Sequence, residues 1–514
     1  MDQAKKLILD VDESPKKISQ WIILAIQHVL AMFVACITVP LLVFSSATVG
    51  KDFANAGAAV PYLNINGASL AQTMIAPTLV AAGVGTLIYI ILTKMKSPVF
   101  LASSFAYISP MCGALALGAI PMMQTADGLV EATAGATVVG YYGNLWALPI
   151  GMAMVGLVYV IIAVIIRFAG VNWLNKLLPT VVIGPVIMVI GLGLSVSAIN
   201  NLVSASGSVE NGSYNLAAIF SGLVGMAVTA LCAHYGKKTL SLIPFVMGML
   251  GGYVTAALFT AIGYYGAGND YFHIIDFSPI VNNFSNISVR SFIDLPSFVF
   301  LPENYESAVA ITPAQIGSIA LLFIPVSLVT VCEHIGDHKN LSGIIGRDLL
   351  TEPGLSKTLA GDGIATAVSG ILCGAANTTY GENVAVVGVT KIASVKVIVL
   401  ACIMSILLGF LSPIMCIVET IPTCVTGGVS LLLYGFIAAS GVKMLINEQI
   451  DMSKTKNIFV ASVILVSGIG GLVISFVAGD TTVSITSTAV SMILGILMNT
   501  MLRDPKPVIA NKEE

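Results

Sequence analysis

Asn377-Thr378-Thr379-Tyr380-Gly381-Glu382-Asn383-Val384-Ala385-Val386 decides the reading of this chain. The stretch is polar and carries a full carboxylate, yet apolar runs long enough to cross a membrane flank it. Broken backbone at membrane depth persists only where it is buried in protein or lines a wet cavity. There its N–H groups can meet a ligand. A second stretch of the same character, Leu101-Ala102-Ser103-Ser104-Phe105-Ala106-Tyr107-Ile108-Ser109-Pro110, lies earlier in the chain.

Composition supports the membrane setting. Hydrophobic residues make up 56% of the 514 and charged residues only 10%, with a mean hydropathy of +0.95. A soluble globular protein carries about 25% charged residues, so this chain has too few to cover its surface in water. The apolar runs are about 20 residues long, enough to cross a hydrocarbon core of about 30 Å as helices. The class is an all-α polytopic membrane protein. Fourteen segments are expected at 21–45, 74–94, 98–117, 145–168, 178–199, 215–235, 239–264, 314–335, 356–375, 378–390, 395–419, 422–442, 457–478 and 481–502. The two polar stretches fall in the third and the tenth.

The cations test this topology independently, because cytoplasmic connections collect Lys and Arg. The N-terminal tail, alternate loops and the C-terminal tail hold 21 of the 23. They run from Lys5, Lys6, Lys16 and Lys17 through pairs such as Lys94/Lys96 and Lys391/Lys396 to Arg503, Lys506 and Lys512. Only Lys51 and Arg290 fall in the opposite loops. Both termini are therefore expected in the cytoplasm. The expected organisation is a tail at 1–20, a seven-segment half at 21–264, an external loop at 265–313, a second half at 314–502 and a tail at 503–514. The external loop, with Asp270, Asp276, Asp294, Glu303 and Glu306 against Arg290, reads as a solvated cap.

A short internal repeat supports two halves. Pro179-Thr180-Val181-Val182-Ile183-Gly184-Pro185-Val186 opens the fifth segment, and Pro422-Thr423-Cys424-Val425-Thr426-Gly427-Gly428-Val429 opens the twelfth. Seven segments separate them, so the halves run in opposite directions through the membrane. Secondary transporters are commonly built this way, with the site near the midplane where interrupted segments meet.

Ionisable residues narrow the site. Glu382 lies within a span and Glu333 at the end of one, with Asp337 just beyond. A carboxylate at the bilayer centre costs about 2.5–3.5 kcal/mol, which makes function the default reading. The bland reading of Glu333 is a helix-end residue at the cytoplasmic face. For Asp337 it is a solvated residue paired with Lys339 or Arg347. His28, beside Gln27, suits a helix-to-helix hydrogen bond as well as a substrate contact. His334 and His338 border a loop and are expected to be solvated, His234 is interfacial, and His273 is external. The eight cysteines read as small buried hydrophobes without metal-ligand spacing. No protease, hydrolase or nucleotide-binding motif is visible, so neither an enzyme nor a cofactor or metal is expected. No basic patch suggests nucleic acid, and no cleavable signal is apparent. Two carboxylates and two open backbone stretches complement a flat ring with N–H donors beside carbonyls. A cationic substrate fits the charges equally well.

At these residues the chain resembles the nucleobase–ascorbate transporter family (nucleobase:cation symporter family 2), and within it the bacterial uracil permeases. The resemblance runs from about Ile22 to Met501. It rests on Gln27-His28, Ser103 to Pro110, Glu333-His334-Ile335-Gly336, Asn377 to Asn383, and a signature running from Glu382 to Lys391. Ala385 stands where the signature usually has Gly, and Asp337 where uracil permeases usually have His. The resemblance implies fourteen segments in two inverted repeats of seven, with core and gate domains and short antiparallel strands in segments three and ten. It implies that Glu333 and Glu382 bind a nucleobase with the backbone N–H groups of Phe105 and Gly381 and with Tyr380. His28, Asn383 and Thr390 support the site, and Glu333 and Asp337 take part in proton coupling. Glu at the first signature position points to uracil. The expected partners are the base, a proton, membrane lipid and a second copy of the chain. Xanthine or another oxo-base, sodium coupling, or an anion exchanger or channel on the same plan remain as alternatives.

Overall fold

The computed structural model describes residues 7–502 apart from 46, 50–51, 56–58, 65–66, 68, 205–213, 238–239, 299–310 and 479–480. The C-terminal tail 503–514, residues 1–6, Lys51, Lys238, Glu303 and Glu306 therefore lie outside the described residues. Each of the fourteen expected stretches contains a helix. In chain order these are α1 (Ile18–Phe44), α2 (Ile75–Leu92), α3 (Ile108–Ala116), α4 (Ala147–Ala169), α5 (Thr180–Gly193), α6 (Leu216–Tyr235) and α7 (Pro244–Phe259). The second half gives α8 (Pro313–Ile345), α9 (Leu355–Ile371), α10 (Gly381–Thr390), α11 (Val395–Gly409), α12 (Thr423–Asn447), α13 (Thr455–Ile469) and α14 (Ser487–Met501).

Among the described residues, eight helical stretches are long and apolar enough to cross a membrane. The remaining six helices are 9 to 17 residues long. At about 1.5 Å per residue, even the longest falls short of a core about 30 Å thick. Fourteen crossings therefore rest on the charge alternation, not on helix length.

Strands occupy the breaks. Short pairs β1 (Ala47–Thr48) and β2 (Ala59–Val60) follow α1. β3 (Leu101–Ser103) precedes α3. Between α3 and α4 the chain forms a three-stranded antiparallel sheet of β4 (Ile120–Thr125), β5 (Gly128–Glu131) and β6 (Gly140–Tyr142), an element not anticipated from sequence. β7 (Asn377–Thr379) precedes α10. β8 (Ile474–Ala478) and β9 (Thr481–Ile485) form a hairpin between α13 and α14, so the expected spans 457–478 and 481–502 each lose a turn or more of helix to strand. In the loop expected to be external, a helix at Ser278–Ser285 docks on the chain after α11, where Ser412 Oγ donates to Asn283 Oδ1 (3.1 Å). The Ser278 hydroxyl and amide both donate to Asp276, which holds that carboxyl below its usual range.

Two strands from opposite halves of the chain meet at the centre. β3 and β7 pair antiparallel, with Leu101 opposite Thr379, Ala102 opposite Thr378 and Ser103 opposite Asn377. All six residues are buried. Each satisfies backbone groups that the other's interrupted helix leaves open. The repeat-bearing helices also meet. α5 and α12 follow Pro179 and Pro422, both in extended conformation. Gly184 abuts Gly441 and Gly191 abuts Tyr434 and Ala438, so the two helices pack antiparallel.

Packing divides the helices into two groups. α1, α2, α3, α4, α8, α9, α10 and α11 form one, and α5, α6, α7, α12, α13 and α14 the other. The expected N-terminal tail is not free. Leu9 forms a parallel bridge to Ile392, Ala393 N donates to Leu9 O and Val395 N to Val11 O (2.9 and 3.0 Å), and Val11 is buried. Arg347 clamps Asp10 and Asp12.

Candidate functional site

α8 supplies most of the ionisable groups, and its length corrects the sequence reading. A capping box of Thr312 and Gln315 starts it, and Gly346, in the left-handed conformation at φ 69°, ends it. It thus continues ten residues past the expected end at 335. Glu333 and Asp337 lie inside the helix, one turn apart and on one face. Both line a cavity of about 540 Å³. Gly381 and Glu382, at the start of α10, share that wall, and Ile187 of α5 with Phe436 and Met444 of α12 form the facing one. The cavity lies between the two helical groups and runs to the helix ends that carry Lys391, Lys443 and Glu448.

The carboxylates are poised for a ligand. Among the described residues, Glu333 Oε2 and Glu382 Oε1 are buried and find no hydrogen-bond partner. An unpaired buried acceptor costs about 1–3 kcal/mol, more when charged, so these oxygens are set for a donor from outside the chain. Asp337 is not the solvated residue of the bland reading. Lys339 pairs with Glu448 (3.2 Å) and Arg347 with Asp10 and Asp12, while Asp337 Oδ2 accepts from Thr379 Oγ1 at 2.8 Å.

Backbone geometry adds donors. β7 leads through Tyr380, the N-cap, into α10 at Gly381. β3 leads through Ser104 into a single helical turn at Phe105–Tyr107 and then α3. First-turn N–H groups have no partner inside their helix, and the helix dipole makes such a terminus attractive to a carbonyl oxygen. Phe105 packs edge-on against Tyr434 of α12, with centroids 5.6 Å apart. Tyr434 and its buried, unpartnered hydroxyl escaped sequence reading because a lone aromatic in an apolar helix carries no signal. His28 Nδ1 and Asn383 Oδ1 lie 2.8 Å apart, a buried link between α1 and α10. Thr390 stands at the far end of α10, where its hydroxyl donates to Val386 O and accepts from Ile392 N. It finishes the helix and is not brought to the carboxylates.

His334 and His338 are corrections. Expected to be solvated, both are fully buried, because α8 continues past them and its other face packs on neighbouring helices. His334 Nδ1 lies 2.7 Å from Asp362 Oδ2 and its Nε2 lies 3.0 Å from Thr358 Oγ1. His338 Nδ1 donates to His334 O (2.8 Å), which leaves Nε2 to accept from the Tyr89 hydroxyl (2.7 Å). Asp362 was overlooked although it lies inside the expected segment 356–375. The charge itself was the available signal.

Apolar helices in two packed groups, a carboxylate-lined cavity between them and paired strands that interrupt one helix of each half define a multi-pass membrane transporter of inverted-repeat construction. Solved structures agree on the fold. The murine Solute Carrier 26 family member A9 anion transporter in its inward-facing state matches with a TM-score of 0.58 at 11% identity, over 95% of this chain and 69% of that one. The transmembrane domain of the cyanobacterium bicarbonate transporter BicA matches at 0.53 and 10% identity, over 95% and 99%. In sequence, residues 19–477 match the Permease family of xanthine and uracil carriers. The uracil permease of Bacillus caldolyticus is 37% identical over 97% of this chain and 95% of its own length. That of Bacillus subtilis (strain 168) is 34% identical over 99% and 98%, and that of Escherichia coli (strain K12) 31% over 98% and 97%. The chain belongs to this permease family. It is a transporter, not an enzyme.

Proposed function

We propose that the chain carries uracil into the cell together with a proton. The observation that carries this reading is the pair of unpartnered carboxylate oxygens, Glu333 Oε2 and Glu382 Oε1, at the head of one cavity. Uracil offers two ring N–H groups to such acceptors, and its two carbonyls suit the first-turn N–H groups at Phe105 and Gly381. Tyr380, the N-cap of the second interrupted helix, and Tyr434, packed on Phe105, are the aromatic side chains next to those two termini. Uracil is the substrate named for the relatives at 31 to 37% identity, and this supports it over other flat bases. The structural neighbours carry anions, but two carboxylates repel an anion, so the shared fold does not transfer that cargo. Asp337, at the wall of the cavity, is the coupling group together with Glu333. His28 and Asn383 brace α10, both termini are cytoplasmic, and the working unit is a homodimer in the cytoplasmic membrane.

The decisive test is uptake of radiolabelled uracil by proteoliposomes, competed by a panel of bases, with and without an uncoupler and with sodium exchanged for potassium. Uracil is expected to compete best, the uncoupler to abolish accumulation, and sodium to be without effect. Stronger competition by xanthine, or accumulation that follows sodium, overturns the substrate or the coupling assignment respectively.

A further inference from the structure

Asp337 lies among like charges. Glu333 is one turn away on α8, Asp362 of α9 lies against His334 of the same helix, and Glu382 of α10 lines the same cavity. Lys443 of α12, Glu448 just after it and Lys391 at the end of α10 line the same cavity. Among the described residues no cation forms an ion pair with Asp337, because Lys339 is engaged by Glu448. Among the described residues its one hydrogen bond comes from Thr379 Oγ1 to Oδ2. Its other oxygen, Oδ1, lies beside Gly381, about where a ligand held at the first turn of α10 would approach.

Thr379 is unusually well fixed for a donor. It is 1% exposed, and its backbone is locked into β7 opposite Leu101 of β3. A β-branched side chain also has few rotamers to choose from. A hydroxyl that donates to a carboxylate favours the ionised form, whereas neighbouring carboxylates favour the neutral one.

We propose that Thr379 is a positioning residue which holds Asp337 ready to accept a proton, so that this hydroxyl sets the pH range over which coupling operates. The inference rests on the reading of Asp337 as the coupling group. In the proton step, the Asp337 carboxylate takes a proton from cavity water and becomes a carboxylic acid. Protonation at Oδ2 ends the donation from Thr379, whose hydroxyl can then only accept from that group. The proton leaves by the reverse exchange when the site faces the other side. Uptake and release thereby change the tie between α8 and the β3–β7 pair.

The test needs no substrate. Infrared pH titration of the purified full-length protein follows the carboxylic C=O band that disappears in Asp337→Asn. In Thr379→Val, which keeps shape but removes the donor, the midpoint of that band is expected about one pH unit higher. In Thr379→Ser, which restores the donor, it should superimpose on the parent. The pH profile of uracil uptake should move in the same direction in Thr379→Val only. An unchanged midpoint in Thr379→Val overturns the proposal, and so does a Thr379→Ser midpoint displaced as far as that of Thr379→Val, which would mean that packing of β7 matters and not the hydroxyl. If the band shifts as expected while uracil uptake ignores the proton gradient, the link between Thr379 and Asp337 stands and the coupling assignment of the preceding section is what fails.

Discussion

Glu333 and Glu382, 49 positions apart in sequence, reach one cavity from two helices, and each offers an oxygen that none of the described residues satisfies. Their replacement by Gln keeps size and removes the charged acceptor. A hydrogen bond to a charged group contributes about 1.5–3 kcal/mol, so each substitution is expected to weaken uracil binding roughly 10- to 100-fold by calorimetry. Unchanged affinity in Glu382→Gln would place the site elsewhere. Asp337→Asn separates binding from coupling. It should bind uracil and exchange internal for external uracil, yet lose uphill accumulation; normal accumulation would exclude Asp337 from the proton step. At this scale the sequence was only partly legible. Glu382 announced itself because a carboxylate amid apolar residues has no bland explanation. His334 and His338 were misread because polar residues in a row, followed by Lys339, look like a helix leaving the membrane. Helix α8 instead distributes these polar residues over two faces, one toward the cavity and one toward Asp362 and Tyr89. Only tertiary packing supplies those partners.

Among elements, the α5–α12 contact depends on the absence of side chains. A Cβ at Gly191 would stand 2.4 Å from Tyr434 O, whereas Gly193, two residues on, has nothing within 4 Å. Gly191→Val should therefore lower thermal stability by an amount typical of overpacking, about 1–3 kcal/mol, and Gly193→Val should not. Fluorescence-detected melting in detergent compares them, and equal melting would show that the two helices do not pack this closely. The N-terminal arm makes a second element-scale case. Its backbone covers Ala393 and Val395, so deletion of residues 1–14 should speed hydrogen exchange at those two amides. Unaltered exchange would mean that the arm is not docked in solution. Periodicity could not reveal the arm, since a few residues added to an edge by backbone bonds leave no pattern in side chains. The sheet between α3 and α4 was hidden for the same reason. β3 and β7 were legible as breaks, because polar residues interrupt two apolar runs at corresponding positions.

For the whole molecule, the charge alternation and the two packed groups bear on the same topology. Cysteines introduced at Ser288 and Ser453, both exposed, in a background without native cysteines, should react with impermeant reagents from opposite sides of intact membranes. Labelling from the same side would defeat the fourteen-crossing arrangement. Overall architecture was the most legible level of all, because hydropathy and lysine placement report on the solvent and not on particular partners. The division into two groups was expected only through the family resemblance, since no local signal says which helices share neighbours.

The pairing of β3 with β7 also bears on how the protein is made. Ala102 finds its partner in Thr378, about 280 residues later, and synthesis at about 5–20 residues per second leaves an interval of roughly 15–55 s. Throughout that time the first half-helix is in the bilayer with backbone groups that lipid cannot satisfy. The nascent chain must shelter Leu101–Ser103 against its own early helices, against water or against the insertion machinery until the tenth segment emerges. Assembly of the central site thus waits until most of the chain is made, and a ribosome stalled before Asn377 should yield nine inserted segments of which the third is still open to proteases and quality control.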